Sequence, residues 1–239
     1  MQNDVDPMKA VILAGGYGKR LRPLTDTIPK PLVEVAGKPI VDWQVRWLKA
    51  HGVTSYVMLV GYLKDKVIDY FDSKKGELGI DIAYSEEKTQ LGTGGALKNA
   101  EHLLKDDEQF LMVNGDNITN IEVSKMKLDG NFASLALVPL RSTYGITRLD
   151  GDKIVKFDEK PILPEYWMNS GVYLMSREIF KHLPQTGNLE ETTFVELSKS
   201  RKLAGFKFPN AYFKGVDSIK DMEEASTDLK NGKVFGSQA

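Results

Sequence analysis

Three patterns in this 239-residue chain predict an α/β fold. Short apolar runs alternate with stretches of helical period through the first half. Two glycine-rich segments, residues 14–18 and 92–95, sit beside predicted strands or helix starts. A further apolar run closes on Asn114-Gly115-Asp116. Alternating strands and helices imply a Rossmann-like, mixed but mainly parallel sheet flanked by helices. Ligands of such sheets lie beyond the carboxyl ends of the strands. Both glycine segments and Asp116 fall at such ends and are expected to share one cleft.

In chain order, Lys9–Leu13 reads as a buried strand running into the first glycine loop. Pro29-Lys30-Pro31 cannot continue a helix and is expected to run extended, with its lysine held on a stiff segment. Residues 39–50 form an amphipathic helix, with Pro39 early and Gly52 just past the end. Trp43 and Trp47 on its apolar stripe are expected in the core. A strand over 53–60, a helix over 62–71 and a strand over 80–84 follow. A third helix runs from the second glycine segment to about Leu104, and a strand spans 110–113.

The second half is richer in strand. Runs at 132–140, 153–157, 172–175 and 206–213 are β-like, with helices expected at 176–183, 191–202 and 218–230. One domain over 8–239 is expected, with an α/β half over 8–120 and a β-rich second lobe over 121–239. Residues 1–7 read as a disordered lead, with Met8 a candidate start.

The composition is 41% hydrophobic and 27% charged, which is ordinary for a globular chain, and the net charge of −1 gives no global pull toward nucleic acid or membrane. Any anion site must be local. The absence of cysteine excludes disulfides, a thiolate metal site and a thiol nucleophile. His51, His102 and His182 share no ligand spacing. The start lacks the basic and apolar regions of a signal peptide, and no apolar run is long enough to span a bilayer. A cytoplasmic protein is expected.

The first glycine loop offers backbone N–H groups and then fixed positive charge, which is what a phosphate needs. It fails the Walker A pattern at Leu13 and Arg20, and the dinucleotide pattern at Leu21. An ordinary strand-to-helix turn stays open on the loop alone. Arg20, Lys30 and Lys160 could neutralise a substrate with several phosphates. Asp116 and Asp217 stand at expected strand ends and could meet over a divalent ion, which Mg²⁺ permits with one or two carboxylates plus phosphate oxygens.

Taken together these segments resemble sugar-1-phosphate nucleotidyltransferases, in look closest to those that transfer guanylyl to mannose-1-phosphate or heptose-1-phosphate. The resemblance is carried by residues 13–21, Pro29-Lys30-Pro31-Leu32, Leu91-Gly92-Thr93-Gly94-Gly95, Asn114-Gly115-Asp116, Glu159-Lys160-Pro161, Asn169-Ser170-Gly171-Val172-Tyr173 and Val216-Asp217. It covers nearly the whole chain in family order. Two positions depart: Lys19 stands where the family pattern has Thr, and Asp217-Ser218-Ile219 replaces the usual Asp-Ile-Gly or Asp-Val-Gly.

The resemblance implies Mg²⁺-dependent reaction of an NTP with a sugar 1-phosphate, giving an NDP-sugar and pyrophosphate. Leu13, Ala14, Gly15, Gly16, Gly18 and Lys19 would line the nucleotide site, with Gln90 and Gly95 reading the base. Arg20 and Lys30 would stabilise the transferring phosphates. Asp116 would act in catalysis and, with Asp217, hold the metal. Lys160 would bind the sugar phosphate, and Gly145, Glu159 and Asn169 the sugar. Thymidylyl, uridylyl or adenylyl transfer to glucose-1-phosphate is the nearest alternative. A nucleotide-sugar-dependent glycosyltransferase and a non-catalytic regulatory subunit are the alternatives of other classes. A homo-oligomer fits the family; no β-helical C-terminal domain and no acyltransferase activity is expected.

Overall fold

The computed structural model describes residues 8–236. The expected lead at 1–7 lies outside them. A seven-stranded sheet forms the centre, in the order β12-β8-β11-β6-β1-β4-β5. Its parallel part comprises β1 (Ala10–Ala14), β4 (Ser55–Val60), β5 (Asp81–Glu86) and β6 (Gln109–Asn114). The remaining strands are β8 (Ala133–Arg141), β11 (Ile162–Ser176) and β12 (Leu203–Lys207). β11 runs antiparallel to both β6 and β8, while β12 is parallel to β8, so the sheet is mixed as expected.

Both faces of β1, β4 and β6 are covered, so these strands are apolar almost throughout, whereas β5 at the sheet edge carries Asp81, Ser85 and Glu86. Ile12, Met58 and Val60 face α1 (Ile40–Ala50) and α2 (Lys64–Leu78). Val11, Val57 and Leu59 face the other way, toward α3 (Gly92–Asn99), α4 (Glu101–Leu104) and α5 (Thr193–Lys199). Trp43 and Trp47 are core residues, and each indole N–H donates to a backbone carbonyl, of Val35 and Ile121. Three small ribbons complete the structure: β2 (Glu34–Val35) with β3 (Lys38–Pro39), β7 (Asn117–Thr119) with β13 (Phe213–Gly215), and β9 (Ile146–Asp150) with β10 (Lys153–Asp158). The last helix is α6 (Ile219–Lys230). Among the described residues no helix is long and apolar enough to cross a membrane.

Several predicted elements differ, each for a local reason. The helix expected from residue 62 begins at Lys64, because Leu63 is left-handed (φ 51°), and runs on to Leu78, where left-handed Gly79 stops it. The helix expected to reach Leu104 breaks at Ala100, whose N–H bonds back to Leu97. The segment 176–183 forms a 3₁₀ turn at Arg177–Lys181, capped by Ser176. α5 is shorter than expected, and the chain turns at Arg201 (φ 55°). Pro209 lies in a turn that divides the run at 206–213 between β12 and β13. Lys30–Leu32 is a 3₁₀ turn, not an extended segment, closed by Leu32 N–H donating to Pro29 O. Asn169-Ser170-Gly171 lies inside β11, where the register with β8 shifts, and does not precede a short strand.

Candidate active site

The parallel strands end in register, with Ala14 beside Val60, Val60 beside Glu86, and Leu13 beside Asn114. The next residue of each strand, Gly15, Gly61, Glu87 and Gly115, therefore stands on one edge. The approach there is close. A Cβ on Gly115 would lie 1.9 Å from the Leu13 carbonyl oxygen, so only glycine fits.

Over this edge lies a charged group assembled from four distant segments. Lys30 Nζ is 2.6 Å from Asp116 Oδ2 and 2.5 Å from Asp217 Oδ1, and Arg20 Nη2 is 2.7 Å from the same Asp217 oxygen. The Lys30 side chain is 13% exposed, whereas both carboxylates are about one-third exposed. Lys30, Asp116 and Asp217 are each held from behind. Gly18, left-handed at φ 59°, leaves the space in which Thr25 and the Lys30 stem pack, and Thr25 Oγ1 donates to its carbonyl. Gln44 of α1 donates Nε2 to the carbonyls of Asn114 and Asn117, gripping the turn that carries Asp116. Val216 N–H donates to Asp116 O and brings Asp217 alongside. Ser218 caps α6 by accepting from Asp221 N–H, and Asp217 N–H donates to Asp221 Oδ2. The departure from the family pattern after Asp217 thus supplies a helix cap beside the charged group.

Two carboxylates converging on one ammonium also fit a hard divalent ion, since all their donors are oxygen. Among the described residues no group of three or more His, Cys, Asp or Glu forms a metal cage. An ion here would take the rest of its shell from phosphate oxygens and water.

A cleft of ≈ 230 Å³ opens beside this group, lined by Leu13, Gly15, Gly16, Lys30, Gln90 and Asp116 among the expected residues. The others sit elsewhere. Ala14 is buried at the strand end. Lys19 is exposed, with its Nζ 5.7 Å from the Tyr17 ring centroid. Gly95 is packed on residues 185–186, and its N–H goes to the Gly187 carbonyl.

Glu87 lines the cleft as well and escaped the sequence reading. Its Oε2 accepts from Leu91 N–H at 2.8 Å, and its Oε1 faces Gly15, 2.6 Å from where a Cβ would stand. Burial pushes its carboxyl above the usual carboxylate range, against the pull of the Leu91 N–H. The available signal was an acid directly after a strand of the parallel sheet. Gln44 left no comparable signal, because a buried polar residue on a helix looks like any other until the turn it holds is known.

The residues expected to take the sugar phosphate form a second group. Glu159 Oε2 is 3.1 Å from the Cβ position of Gly145, and Lys160 Nζ is 3.9 Å from Glu159 Oε1. Among the described residues no hydrogen bond or ion pair joins Glu159 or Lys160 to the Lys30 group. Asn169 is tied to the second glycine segment instead. Its Nδ2 donates to Tyr173 Oη, Tyr173 donates to Glu190, and Glu190 accepts from Thr93 Oγ1.

Residues 9–232 match the family model described as nucleotidyl transferase. This chain belongs to the nucleotidyl transferase family. The resemblance read from its motifs is borne out. D-glycero-alpha-D-manno-heptose 1-phosphate guanylyltransferase of Campylobacter jejuni is 36% identical, over 72% of this chain and 78% of that protein. Mannose-1-phosphate guanyltransferase of Candida albicans is 34% identical over 90% of this nucleotidyl transferase, which spans 62% of that relative's length. Among solved structures, HddC from Yersinia pseudotuberculosis, complexed with GMP-PN, superposes with a TM-score of 0.71 at 28% identity, covering 93% of this chain and all (100%) of that one. A UDP-glucose pyrophosphorylase complexed with UDP-glucose shares the fold, with a TM-score of 0.73 at 21% identity, over 94% of this chain and 99% of its own.

Proposed function

We propose that the protein transfers a guanylyl group from GTP to mannose-1-phosphate or heptose-1-phosphate, releasing pyrophosphate, in the cytoplasm. The observation that carries the reading is Lys30 bridging Asp116 and Asp217 beside a glycine-lined cleft. An oxygen of the sugar phosphate attacks the α-phosphorus, the bond to the β,γ-pyrophosphate breaks, and pyrophosphate leaves with the electron pair. The attacking oxygen is already ionised, so no protein base is needed. Gly15 and Gly16 allow the triphosphate to approach the backbone. Lys30 stabilises the charge that builds on the α-phosphate, and Arg20 neutralises the leaving pyrophosphate. Asp116 and Asp217 would hold Mg²⁺, which when bound supplies charge neutralisation and alignment of the phosphates. Lys160 receives the sugar phosphate, and Gly145, Glu159 and Asn169 the sugar.

Glu87 supports guanine over the other bases. A carboxylate can accept two parallel hydrogen bonds, and guanine presents adjacent donors at N1 and N2. Uracil and thymine pair a donor with acceptors, and adenine has no second donor beside its amino group. The guanylyltransferase relatives and the GMP-PN complex of HddC favour the same base. A panel of nucleoside triphosphates against several sugar 1-phosphates, read by NDP-sugar formed, tests the reading. The expected result is product with GTP and mannose- or heptose-1-phosphate. Product with UTP or dTTP alone would overturn the base assignment.

A further inference from the structure

Asn169 and Thr93 belong to opposite halves of the chain, and one carboxylate, Glu190, stands between them. Each hydrogen bond in the series has a forced direction. Asn169 Oδ1 accepts from Gly171 N–H, which orients its amide, and its Nδ2 donates to Tyr173 Oη at 3.0 Å. The Tyr173 hydroxyl, already accepting, donates to Glu190 Oε1 at 3.3 Å. From the far side Leu189 N–H donates to Thr93 Oγ1 at 2.8 Å, and that hydroxyl donates to Glu190 Oε2, also at 2.8 Å. Two hydroxyls whose oxygens are occupied thus deliver both hydrogens to one acceptor-only group. An amide in its place would turn an N–H₂ donor onto one of them.

Both ends of the series are firmly built. β11 breaks its register on β8 between Asn169 and Tyr173, with Gly171 left-handed (φ 69°), and the break lets side chains four residues apart meet. Tyr173 is fully buried. At the other end residues 187–190 clasp the start of α3. Asn188 Oδ1 accepts from Thr93 N–H, and Gly187 O accepts from the N–H groups of Gly94 and Gly95. Thr93 and Asn188 line the cleft beside Gln90. Leu91, whose carbonyl accepts from Gly187 N–H, gives its own N–H to Glu87. Through the backbone at 91–93 the series therefore runs from Asn169 to Glu87, with the exposed Glu190 carboxylate at its middle.

Taking from the proposed function what each side holds, we infer that Glu190 is a positioning residue that couples the two substrates. A sugar phosphate on the Asn169 side and a nucleotide on the Glu87 side each strengthen the binding of the other. Either ligand orders its end of the series and with it the carboxylate, so the second ligand meets a site already set. The gain is the same whichever ligand binds first. An exposed hydrogen bond of this kind adds little to stability, so loss of Glu190 is read in ligand binding and not in the melting temperature.

Isothermal titration of the full chain with mannose- or heptose-1-phosphate tests the inference, run without and with a GTP analogue whose α- and β-phosphorus are bridged by methylene. The wild type should bind the sugar phosphate about tenfold more tightly when the analogue is present. Glu190→Gln and Thr93→Val should lose that gain, while each melts within a few degrees of the wild type. Thr93→Ser keeps the hydroxyl and should keep the gain. The double variant of Glu190→Gln and Thr93→Val should lose no more than either alone, because one series is cut only once. A gain as large in these variants as in the wild type would overturn the inference, as would a wild type that binds both ligands with no gain. A fall in melting temperature that accounts for the lost binding would make Glu190 a structural tie instead. A wild type that binds neither ligand would contradict the proposed function itself, and the coupling with it.

Discussion

Lys30 and Asp116 are 86 positions apart in the chain, yet Lys30 Nζ stands 2.6 Å from Asp116 Oδ2. The contact joins a proline-framed turn to the end of a central strand, and Asp217 closes the group from a third segment. Lys30→Ala should therefore lower kcat by ~10²–10³-fold, the usual cost of losing a preorganised charge at a transferring group. Steady-state kinetics and a melting curve check this. The melting temperature should move by only a few degrees, because the carboxylates it leaves are a third exposed and can be solvated. A loss of fold matching the loss of turnover would make Lys30 a structural residue.

Asp116→Asn is expected to abolish turnover while leaving the melting temperature nearly unchanged. The asparagine keeps the volume, and Gln44 grips the neighbouring carbonyls rather than the side chain. Chelating divalent ions from the wild type should mimic the variant, and added Mg²⁺ should restore only the wild type.

Glu87→Gln separates base reading from stability. Turnover with GTP should fall ~10²-fold, since the amide offers one acceptor where guanine needs two, while UTP or dTTP should improve relative to it. Burial raises the Glu87 carboxyl above its ordinary range, so the fold disfavours the ionised form. That cost is absent below the ordinary carboxylate pKa of about 4.3. It grows as the pH rises toward the raised value and is fully felt above it. The variant should thus melt above the wild type at neutral pH, with the gap closing near pH ~4. An advantage that grows on acidification would contradict this.

Lys160→Ala should raise the KM for the sugar phosphate and leave GTP binding intact, by isothermal titration. Lys160 shares no hydrogen bond or ion pair with the Lys30 group among the described residues, so the two effects are separable. A selective loss of GTP affinity would reassign it.

Gly115→Ala should cost the fold several kcal/mol, because its Cβ would meet a backbone oxygen that cannot move without breaking the sheet. Urea unfolding measures it. A change below ~0.5 kcal/mol would show that the strands can part there.

The sequence carried the site well where one residue in a rigid motif decides its place. Asp116 after a buried strand and the glycines of the first loop lie at the strand ends where their local pattern put them, whereas Lys30 between two prolines sits in a 3₁₀ turn and not in the expected extended run. It carried less where placement depends on a partner far along the chain. Gly95 reads as part of a ligand loop, yet its N–H serves Gly187, a contact no local pattern announces. β11 reads as a short strand because its first half is exposed and holds proline, while its length comes from pairing with β8. Glu87 was hidden by its neighbour Glu86, which pairs with Lys64 at the surface and makes the dipeptide look solvated.

The central claim is that this cleft joins a nucleotide to a sugar phosphate. The most direct test is to follow pyrophosphate and GDP-sugar together, by coupled assay and mass spectrometry, with GTP, Mg²⁺ and mannose- or heptose-1-phosphate. Equal amounts of both products, with neither formed when the sugar phosphate is omitted, is the predicted result. Pyrophosphate released without the sugar phosphate, or no product with any nucleotide and sugar 1-phosphate pair, would contradict it.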